Sequence, residues 1–300
     1  MELCIPGSEP SPWAFPAWLE DHQLPDARFA KAYNALGDQR RALIKGLIAR
    51  HYVLTPPNGP ASSSNTRRYD LLEHTSLREP APFMLLLLDG LLDAPALFLS
   101  ALLPALCARV PQVFVARLGQ RSAVPDALLA SCELCGQERL AALGPMLVQR
   151  LVHECAASGE PGLVLHPDTP EFRRLLGQKE LRQVLDASPL RLVPLRAPRV
   201  CAIWRDSSID LPPEDVALLY GALSFETGGA VPGMRSRTAP DEDALTVFCE
   251  IRRDLLLAPP AHAGQHRAGL TASGECLGLW RWPELHPGLF EQERQIFLST

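Results

Sequence analysis

The sequence predicts an α/β fold: one parallel sheet with helices on both faces, preceded by a helical N-terminal segment. From Pro82 onward, short runs of continuously apolar residues alternate with longer helical patterns. Strands that are apolar throughout and spaced by helices are typical of parallel sheets buried on both faces. Upstream, apolar residues recur at a spacing near 3.6, which indicates amphipathic helices. A chain of 300 residues is long enough to bury such a core without a metal or a disulfide.

The first 55 residues form the predicted helical segment, which we expect to pack as an appendage or as a contact between copies. Its apolar positions are Phe29, Tyr33, Leu36, Leu43, Leu47 and Ile48. Residues 56–76 are predicted to be a linker, because Pro56–Asn65 is rich in proline, serine and asparagine, which favour turns. Residues 77–227 form the predicted α/β domain, and residues 228–300 a less regular C-terminal segment with an added strand near Ala244–Ile251.

Six strands and five helices are expected between Pro82 and Leu223. The strands are Phe83–Leu88, Val113–Ala116, a short piece near Leu140, Gly162–Leu165, Leu190–Leu195 and Val200–Trp204. The helices are Ala94–Arg109, Pro125–Cys135, 145–157, a stretch ending near Leu185, and 212–223. We expect Asp93 to cap the first of these helices and Gly136 to end the second in a left-handed conformation.

Composition limits the partners. A net charge of −5 argues against nonspecific binding to nucleic acid, which requires a basic surface. The apolar stretch Phe83–Val110 contains Asp89 and Asp93, and a mid-membrane aspartate costs roughly 2.5–3.5 kcal/mol, so we expect no membrane span. Eight cysteines without an export signal indicate reduced thiols and a cytoplasmic location, and the excess of arginine over lysine is typical of GC-rich bacteria. The composition allows a homo-oligomer.

Four stretches of the predicted α/β domain resemble one enzyme family in the same order. They are Leu77–Gly90, Ser100–Val115, Pro125–Gly136, and Ala197–Asp206 with Pro213–Leu219. Together they look like the nucleotide-binding part of histidinol dehydrogenase, whose fold is related to that of the aldehyde dehydrogenases and is Rossmann-like. The resemblance covers residues 77–225, about half of the chain, and implies a nucleotide-binding sheet.

The residues that would carry the family's chemistry are not matched. The zinc-binding Q-A-E-H stretch of the family should fall near Gly221–Glu226, which contains neither histidine nor glutamine. The family's two glycine-rich turns are represented by Ala141–Met146 and His166–Thr169, and its later Glu-His pair has no match in Asp241–Thr300. We therefore assign no catalytic residue. We expect a divergent, non-catalytic relative that acts as a ligand-binding or regulatory protein. The alternative is an NAD(P)-dependent oxidoreductase with an altered active site.

Three groups of residues have spacings that suggest other chemistry. Cys132, Cys135, His153 and Cys155 have a zinc-like spacing, but they lie in apolar helical patterns, so we favour core cysteines and no resident metal. His262 and His266 lie in a Pro/Gly-rich stretch without a nearby carboxylate. Cys249 beside Glu250 invites comparison with a thiol nucleophile, but a buried strand cysteine is the favoured interpretation.

The predicted ligand site lies at the strand ends. Neither G-x-G-x-x-G nor a P-loop occurs, so no standard phosphate cradle is present. Ligands of parallel sheets still bind outside the carboxyl ends of the strands. The residues assigned there to a nucleotide or another small molecule, with NAD(P) as the candidate cofactor, are Asp89, Gly90, Gly119, His166, Asp168 and Thr169.

Overall fold

The structure, a computed structural model, describes residues 13–55, 63–205, 212–229, 248, 250–258, 268–273 and 276–299. The helices are α1 (Asp26–Ala35), α2 (Asp38–Leu54), α3 (Pro95–Cys107), α4 (Asp126–Cys135), α5 (Pro145–Ala157), α6 (Pro170–Leu176), α7 (Lys179–Ala187) and α8 (Pro213–Tyr220). The strands are β1 (Ser63–Tyr69), β2 (Leu72–Pro80), β3 (Phe83–Leu88), β4 (Gln112–Leu118), β5 (Leu140–Leu143), β6 (Leu163–Pro167), β7 (Arg191–Leu195), β8 (Cys201–Arg205), β9 (Phe225–Gly229), β10 (Leu255–Leu257), β11 (Leu270–Ala272) and β12 (Glu291–Ser299).

A five-stranded parallel sheet forms the centre of the fold, in the order β5-β4-β3-β6-β7. The chain runs outward from β3 through β4 to β5, then returns to place β6 on the other side of β3. Leu86 of β3 is therefore in register with Val115 of β4 and with Leu165 of β6. Strand order reverses between β3 and β6, and such a switch point leaves a crevice at the carboxyl ends of the two strands.

Helices cover both faces of this sheet, which confirms the predicted fold class. All six residues of β3 are buried, and they alternate between two cores. Leu86 packs in the core that contains α1, α2, α3 and α4, and Leu87 packs in the core that contains α5, α6 and α7. Alternate residues of a strand point to opposite faces of the sheet, so a sheet that is buried on both faces requires apolar residues at every position.

A second parallel sheet, in the order β11-β10-β8-β9, follows the first. The expectation of one sheet across residues 77–225 was wrong, because β8 pairs with β9 and β10 and not with β7. The apolar run of β8 predicts burial but does not identify the neighbouring strand. Cys201 and Ile203 of β8 share the core that contains α3, so the two sheets form one packed unit. The strand predicted at Ala244–Ile251 falls mostly outside the described residues; the added strands are β10, β11 and β12.

An antiparallel ribbon of β1, β2 and β12 extends from the base of β3. The predicted linker, residues 56–76, therefore contains β1 and the start of β2, and its residues 56–62 lie outside the described part. All residues of β1 are exposed. The Ser/Asn-rich composition of this stretch reflects a strand exposed on both faces, which is why it was mistaken for a linker. The division of the chain into domains otherwise stays a prediction.

The N-terminal segment is helical, as expected, but it belongs to the main core and is not an appendage. Phe29 of α1 and Leu47 of α2 are fully buried in the core shared with α3 and α4. The stretch before α1 lies along the edge of β5, where the Leu24 amide donates to the Leu140 carbonyl at 2.9 Å. Residues 13–55 thus cover an edge and a face of the sheet that would otherwise be open.

Two helix ends were predicted from capping residues, and one prediction was wrong. Gly136 follows α4 with φ 71° and ψ 26°, the left-handed conformation expected of a C-cap glycine. The N-cap of α3 is Ala94, not Asp93, and its side chain makes no capping bond. Asp93 instead binds Arg117. Among the described helices none is both long and apolar enough to cross a bilayer.

Buried His51 on α2 makes the stability of the fold depend on pH. Burial, with a smaller contribution from the Arg281 charge, lowers the pKa of His51 from 6.5 to about 4. Because the unfolded chain then binds a proton that the native chain does not, stability falls as pH is lowered from about 6.5 towards 4. His51→Gln removes this term. We expect wild type to lose about 2 kcal/mol more than the variant between about pH 7.5 and pH 5.

Urea denaturation of both proteins at the two pH values measures this difference. The change in the free energy of unfolding between the two pH values is compared for wild type and variant. This comparison removes the contribution of every other titrating group that the two proteins share. Parallel pH profiles would show that His51 titrates normally in the native protein.

Candidate functional site

The predicted site residues lie at the carboxyl edge of the central sheet. Asp89 and Gly90 follow β3, Gly119 follows β4, and His166 to Thr169 end β6 or follow it. Since β4 and β6 flank β3, the topology brings the six residues to one edge. Asp89 also interacts electrostatically with Glu171 at the start of α6, so the turns after β3 and β6 are close together.

The turn after β3 is fixed by Asp89. Its carboxylate Oδ1 accepts hydrogen bonds from the amides of Leu91 (3.0 Å) and Leu92 (3.2 Å). Burial raises the pKa of Asp89, although these amides counteract the effect. A Cβ added to Gly90 would meet nothing within 4 Å, so this turn borders open space.

A buried ion pair that the sequence did not reveal lies between the end of β4 and the turn after β3. Arg117 binds both carboxylate oxygens of Asp93, with Nη2 2.8 Å from Oδ2 and Nε 3.0 Å from each oxygen. Both side chains are 9% exposed. Gly119 has φ 129°, a conformation that favours glycine. Asp93 and Arg117 therefore join the turn after β3 to β4.

His166 and Thr169 have structural roles in this edge. His166 is buried, its Nδ1 lies 3.0 Å from the Pro167 carbonyl oxygen, and burial lowers its pKa. Its ring lies 6.2 Å from that of Phe172. Thr169 caps α6, since its hydroxyl accepts from the Phe172 amide at 3.4 Å. These contacts give both residues a part in shaping the edge, and their assignment to a ligand stays a prediction.

Asp168 organises two arginines that sequence reasoning missed. Its Oδ1 accepts from Arg173 Nε at 2.7 Å, and its Oδ2 accepts from Arg196 Nε at 3.3 Å. These bonds, Arg173 first, lower the pKa of Asp168, so the carboxylate stays ionised. The two arginine side chains are 57% and 72% exposed. The signal was present: Arg196 follows β7, the strand paired with β6, and so ends at the same edge.

The zinc-like cysteine set is not assembled. Cys132 is buried in the core beside α3, whereas Cys155 is buried in the core beside α6, on the opposite face of the central sheet. Burial raises the pKa of Cys132, and raises that of Cys135 to about 12. No group of three or more candidate metal ligands occurs within the described residues. His262, His266 and Cys249 lie outside them.

The stretch that corresponds to the family's zinc motif does not fit a metal. Gly221–Glu226 offers one carboxylate, and Glu226 Oε2 accepts from Arg253 Nη2 at 2.9 Å. The Arg253 side chain is fully buried. A carboxylate engaged by a guanidinium, without a nitrogen or sulfur donor in the same stretch, is a poor zinc ligand set.

Comparison of the structure with solved structures identifies the fold. Histidinol dehydrogenase from Elizabethkingia anophelis superposes with a TM-score of 0.55 over 93% of this chain and 77% of that enzyme, at 10% identity. The chain has the fold of histidinol dehydrogenase. At this identity the likeness to histidinol dehydrogenase shows the fold alone. No protein-family model matches the sequence, and no curated protein matches it by sequence.

Aldehyde dehydrogenases resemble the chain more loosely than histidinol dehydrogenase does. An NAD-dependent benzaldehyde dehydrogenase from Corynebacterium glutamicum matches with a TM-score of 0.39 and 8% identity, over 91% of this chain and 85% of that one. A betaine aldehyde dehydrogenase from Staphylococcus aureus, solved with NAD+, matches with a TM-score of 0.38 and 8% identity, over 80% and 47%. These scores are too low to bear on the assignment.

Proposed function

We propose that the chain is a divergent, ligand-binding relative of histidinol dehydrogenase that takes a nucleotide by its phosphates at the carboxyl edge of the central sheet. The observation that supports this is the arrangement around Asp168. One carboxylate holds two exposed guanidiniums by their Nε atoms, at the edge where ligands of parallel sheets bind.

Guanidinium groups held in this way suit phosphate. Arginine presents several donors in a planar fork, and its pairing with phosphate is commonly bidentate. Arg173 and Arg196 each use Nε for Asp168, so their terminal nitrogens remain for an anion. A third contact, from Arg173 Nη2 to the Asp168 carbonyl oxygen, is long at 3.5 Å. Asp168 is the positioning residue, and the two arginines supply the binding groups.

The acidic groups nearby favour binding over catalysis. A general base must be within hydrogen-bond reach of the substrate proton and free to accept it. Both oxygens of Asp93 are bonded to Arg117, and Asp89 Oδ1 accepts two backbone amides of its own turn. These bonds give the two carboxylates a structural role, which supports a non-catalytic function. The alternative is an NAD(P)-dependent oxidoreductase.

Isothermal titration of the full chain with NAD+, NADP+ and AMP tests the proposal. We expect at least one of them to bind, and the double substitution Arg173→Gln, Arg196→Gln to weaken binding roughly tenfold or more, since one charge-assisted bond is worth about 1.5–3 kcal/mol. The matched control is Arg68→Gln, Arg182→Gln, which removes the same charge from two exposed ion pairs elsewhere.

Two results would contradict the proposal. If none of the three nucleotides binds at millimolar concentration, a nucleotide is not the ligand. If the double variant and its control bind with equal affinity, Arg173 and Arg196 do not form the binding site. Incubation of the protein with NAD+ and histidinol distinguishes the binding protein from the oxidoreductase. We expect no NADH to form. Formation of more than one equivalent of NADH per chain would establish the oxidoreductase.

The homo-oligomer that the composition allows remains a proposal, and the ribbon offers a surface for it. Tyr69, Leu71 and Phe297 lie near its tip and are 55%, 79% and 58% exposed. The ring of Phe297 stacks on that of His74 at 4.5 Å, so it is held in place. Clustered apolar side chains on an exposed sheet favour association.

A further inference from the structure

A cavity of about 660 Å³ lies at the opposite end of the molecule from the proposed nucleotide site. Its walls come from the end of α2, the last turn of α3, the base of the ribbon and residues 280–291. Because α3 connects two parallel strands, its last turn lies at the amino edge of the central sheet. The volume is within the range of small-molecule sites, about 300–1,000 Å³. We call it the amino-edge cavity.

Two buried polar side chains in the wall of the amino-edge cavity lack hydrogen-bond partners. His51 is 4% and Trp280 is 5% exposed, and among the described residues neither His51 Nε2 nor Trp280 Nε1 has a partner. The neighbouring Trp282 differs, since its Nε1 donates to the Leu97 carbonyl at 3.2 Å. Native proteins pair nearly all buried polar atoms, so such exceptions point to a missing group.

The charged residues of the cavity leave an excess of positive charge. Arg78 lies 3.9 Å from Glu293, and Glu79 lies 3.7 Å from Arg294, so these groups are paired. The other charged residues in the wall are Arg109, Arg281 and Glu291, and none of the three has an ion-pair partner in the described part of the chain. The charged side chains of the wall without an ion-pair partner there are thus two guanidiniums and one carboxylate.

Backbone conformation singles out one of these arginines. Arg109 has φ 58°, and no other described residue besides glycine has a positive φ. This left-handed residue ends α3: it follows the C-cap Ala108, and the Val110 amide donates to the Ala105 carbonyl at 3.1 Å. The helix end therefore fixes the backbone of Arg109 next to Pro104 and Cys107, which also line the cavity.

We propose that the amino-edge cavity binds a small organic carboxylate with a flat apolar body. The carboxylate pairs with Arg281 and Arg109, and one of its oxygens accepts the unpaired N–H of Trp280. The apolar body lies against side chains such as Leu54, Pro104, Leu285 and Phe290. The site is separate from the carboxyl edge and independent of the nucleotide proposal.

The probe is 3-phenylpropionate, with 3-phenylpropanamide as its uncharged counterpart, titrated calorimetrically into the full chain near neutral pH. We expect saturable binding of the acid with a Kd of about 0.1–1 mM, as suits a ligand of this size, and at least tenfold weaker binding of the amide. Arg281→Gln should weaken binding of the acid about tenfold, and Trp280→Phe about fivefold. Arg182→Gln, at an exposed ion pair on α7, is the matched control for charge.

Three outcomes overturn the inference: no saturable binding of the acid up to about 10 mM, equal binding of acid and amide, or an unchanged Kd in Arg281→Gln. Arg281 is exposed, so its variant is expected to fold, and circular dichroism verifies this. The variant Arg173→Gln, Arg196→Gln should bind the acid like wild type. A loss of binding there would place the probe at the carboxyl edge instead and would also overturn the amino-edge site.

Discussion

Replacing Asp93 by asparagine should lower the free energy of unfolding by about 3–5 kcal/mol, which is the usual effect of removing one partner from a buried ion pair. The Arg117 guanidinium would keep its charge at a position where both side chains are only 9% exposed. Three hydrogen bonds join it to Asp93 in wild type, and they include both carboxylate oxygens. Urea denaturation followed by circular dichroism measures the change as a lower midpoint at an unchanged slope.

A double substitution separates the charge effect from the loss of packing. In Asp93→Leu, Arg117→Met both buried charges are absent, and we expect the stability to return to within about 1–2 kcal/mol of wild type. Asp186→Asn, which breaks an exposed ion pair with Arg182, is the control and should change stability by less than about 1 kcal/mol. If Asp93→Asn is as mild as this control, the pair does not hold the turn after β3 to β4.

The second large effect is expected from a single methyl group. A Cβ at Gly162, just before β6, would lie 2.2–2.4 Å from three ring carbons of Phe83. That ring cannot move aside easily, because Trp13 stacks on it at 3.9 Å and Phe15 packs edge-on at 5.6 Å. We therefore expect Gly162→Ala to cost about 3 kcal/mol, at the upper end of ordinary overpacking in a core.

Gly90→Ala is the matched control for the glycine substitution. A Cβ at Gly90 meets nothing within 4 Å and its φ is not positive, so stability should stay within about 1 kcal/mol of wild type. Phe83→Leu should suppress Gly162→Ala, because the smaller side chain makes room for the methyl group. An additive double mutant, with no recovery, would mean that the cost arises from the backbone and not from the ring.

The central sheet was predictable because four of its strands, β3 to β6, are largely buried on both faces and each leads to a helix. Phe83–Leu88 illustrates this, since no residue in it is polar. The second sheet and the ribbon were not predictable in the same way. β8 is apolar whichever strand it pairs with, and the polar residues of β1 match an exposed strand as well as they match a loop.

The sequence located the proposed site at the strand ends but did not predict the contacts that the structure shows there. Ligands of parallel sheets bind at the carboxyl ends, and this rule selected Asp89, Gly90 and Asp168 from the sequence. It did not select Arg173 and Arg196, because exposed arginines occur throughout the chain and only the pairing of β6 with β7 brings these two to Asp168. His166 has the same parity as Val164 in β6, so its side chain lies on the face of the sheet that α6 covers, and its assignment to a ligand stays a prediction.

The pairing of β12 with β2 has a consequence for synthesis on the ribosome. Ser76 of β2 and Glu293 of β12 are hydrogen-bonded across 217 positions of sequence. β1 can close one edge of β2 as a hairpin while the chain is emerging, but the other edge has to wait for β12. At about 5–20 residues per second, that wait is on the order of 10–40 s. During this time nascent chains on one polysome expose the same open edge, and an edge that accepts β12 also accepts a strand from a neighbouring chain.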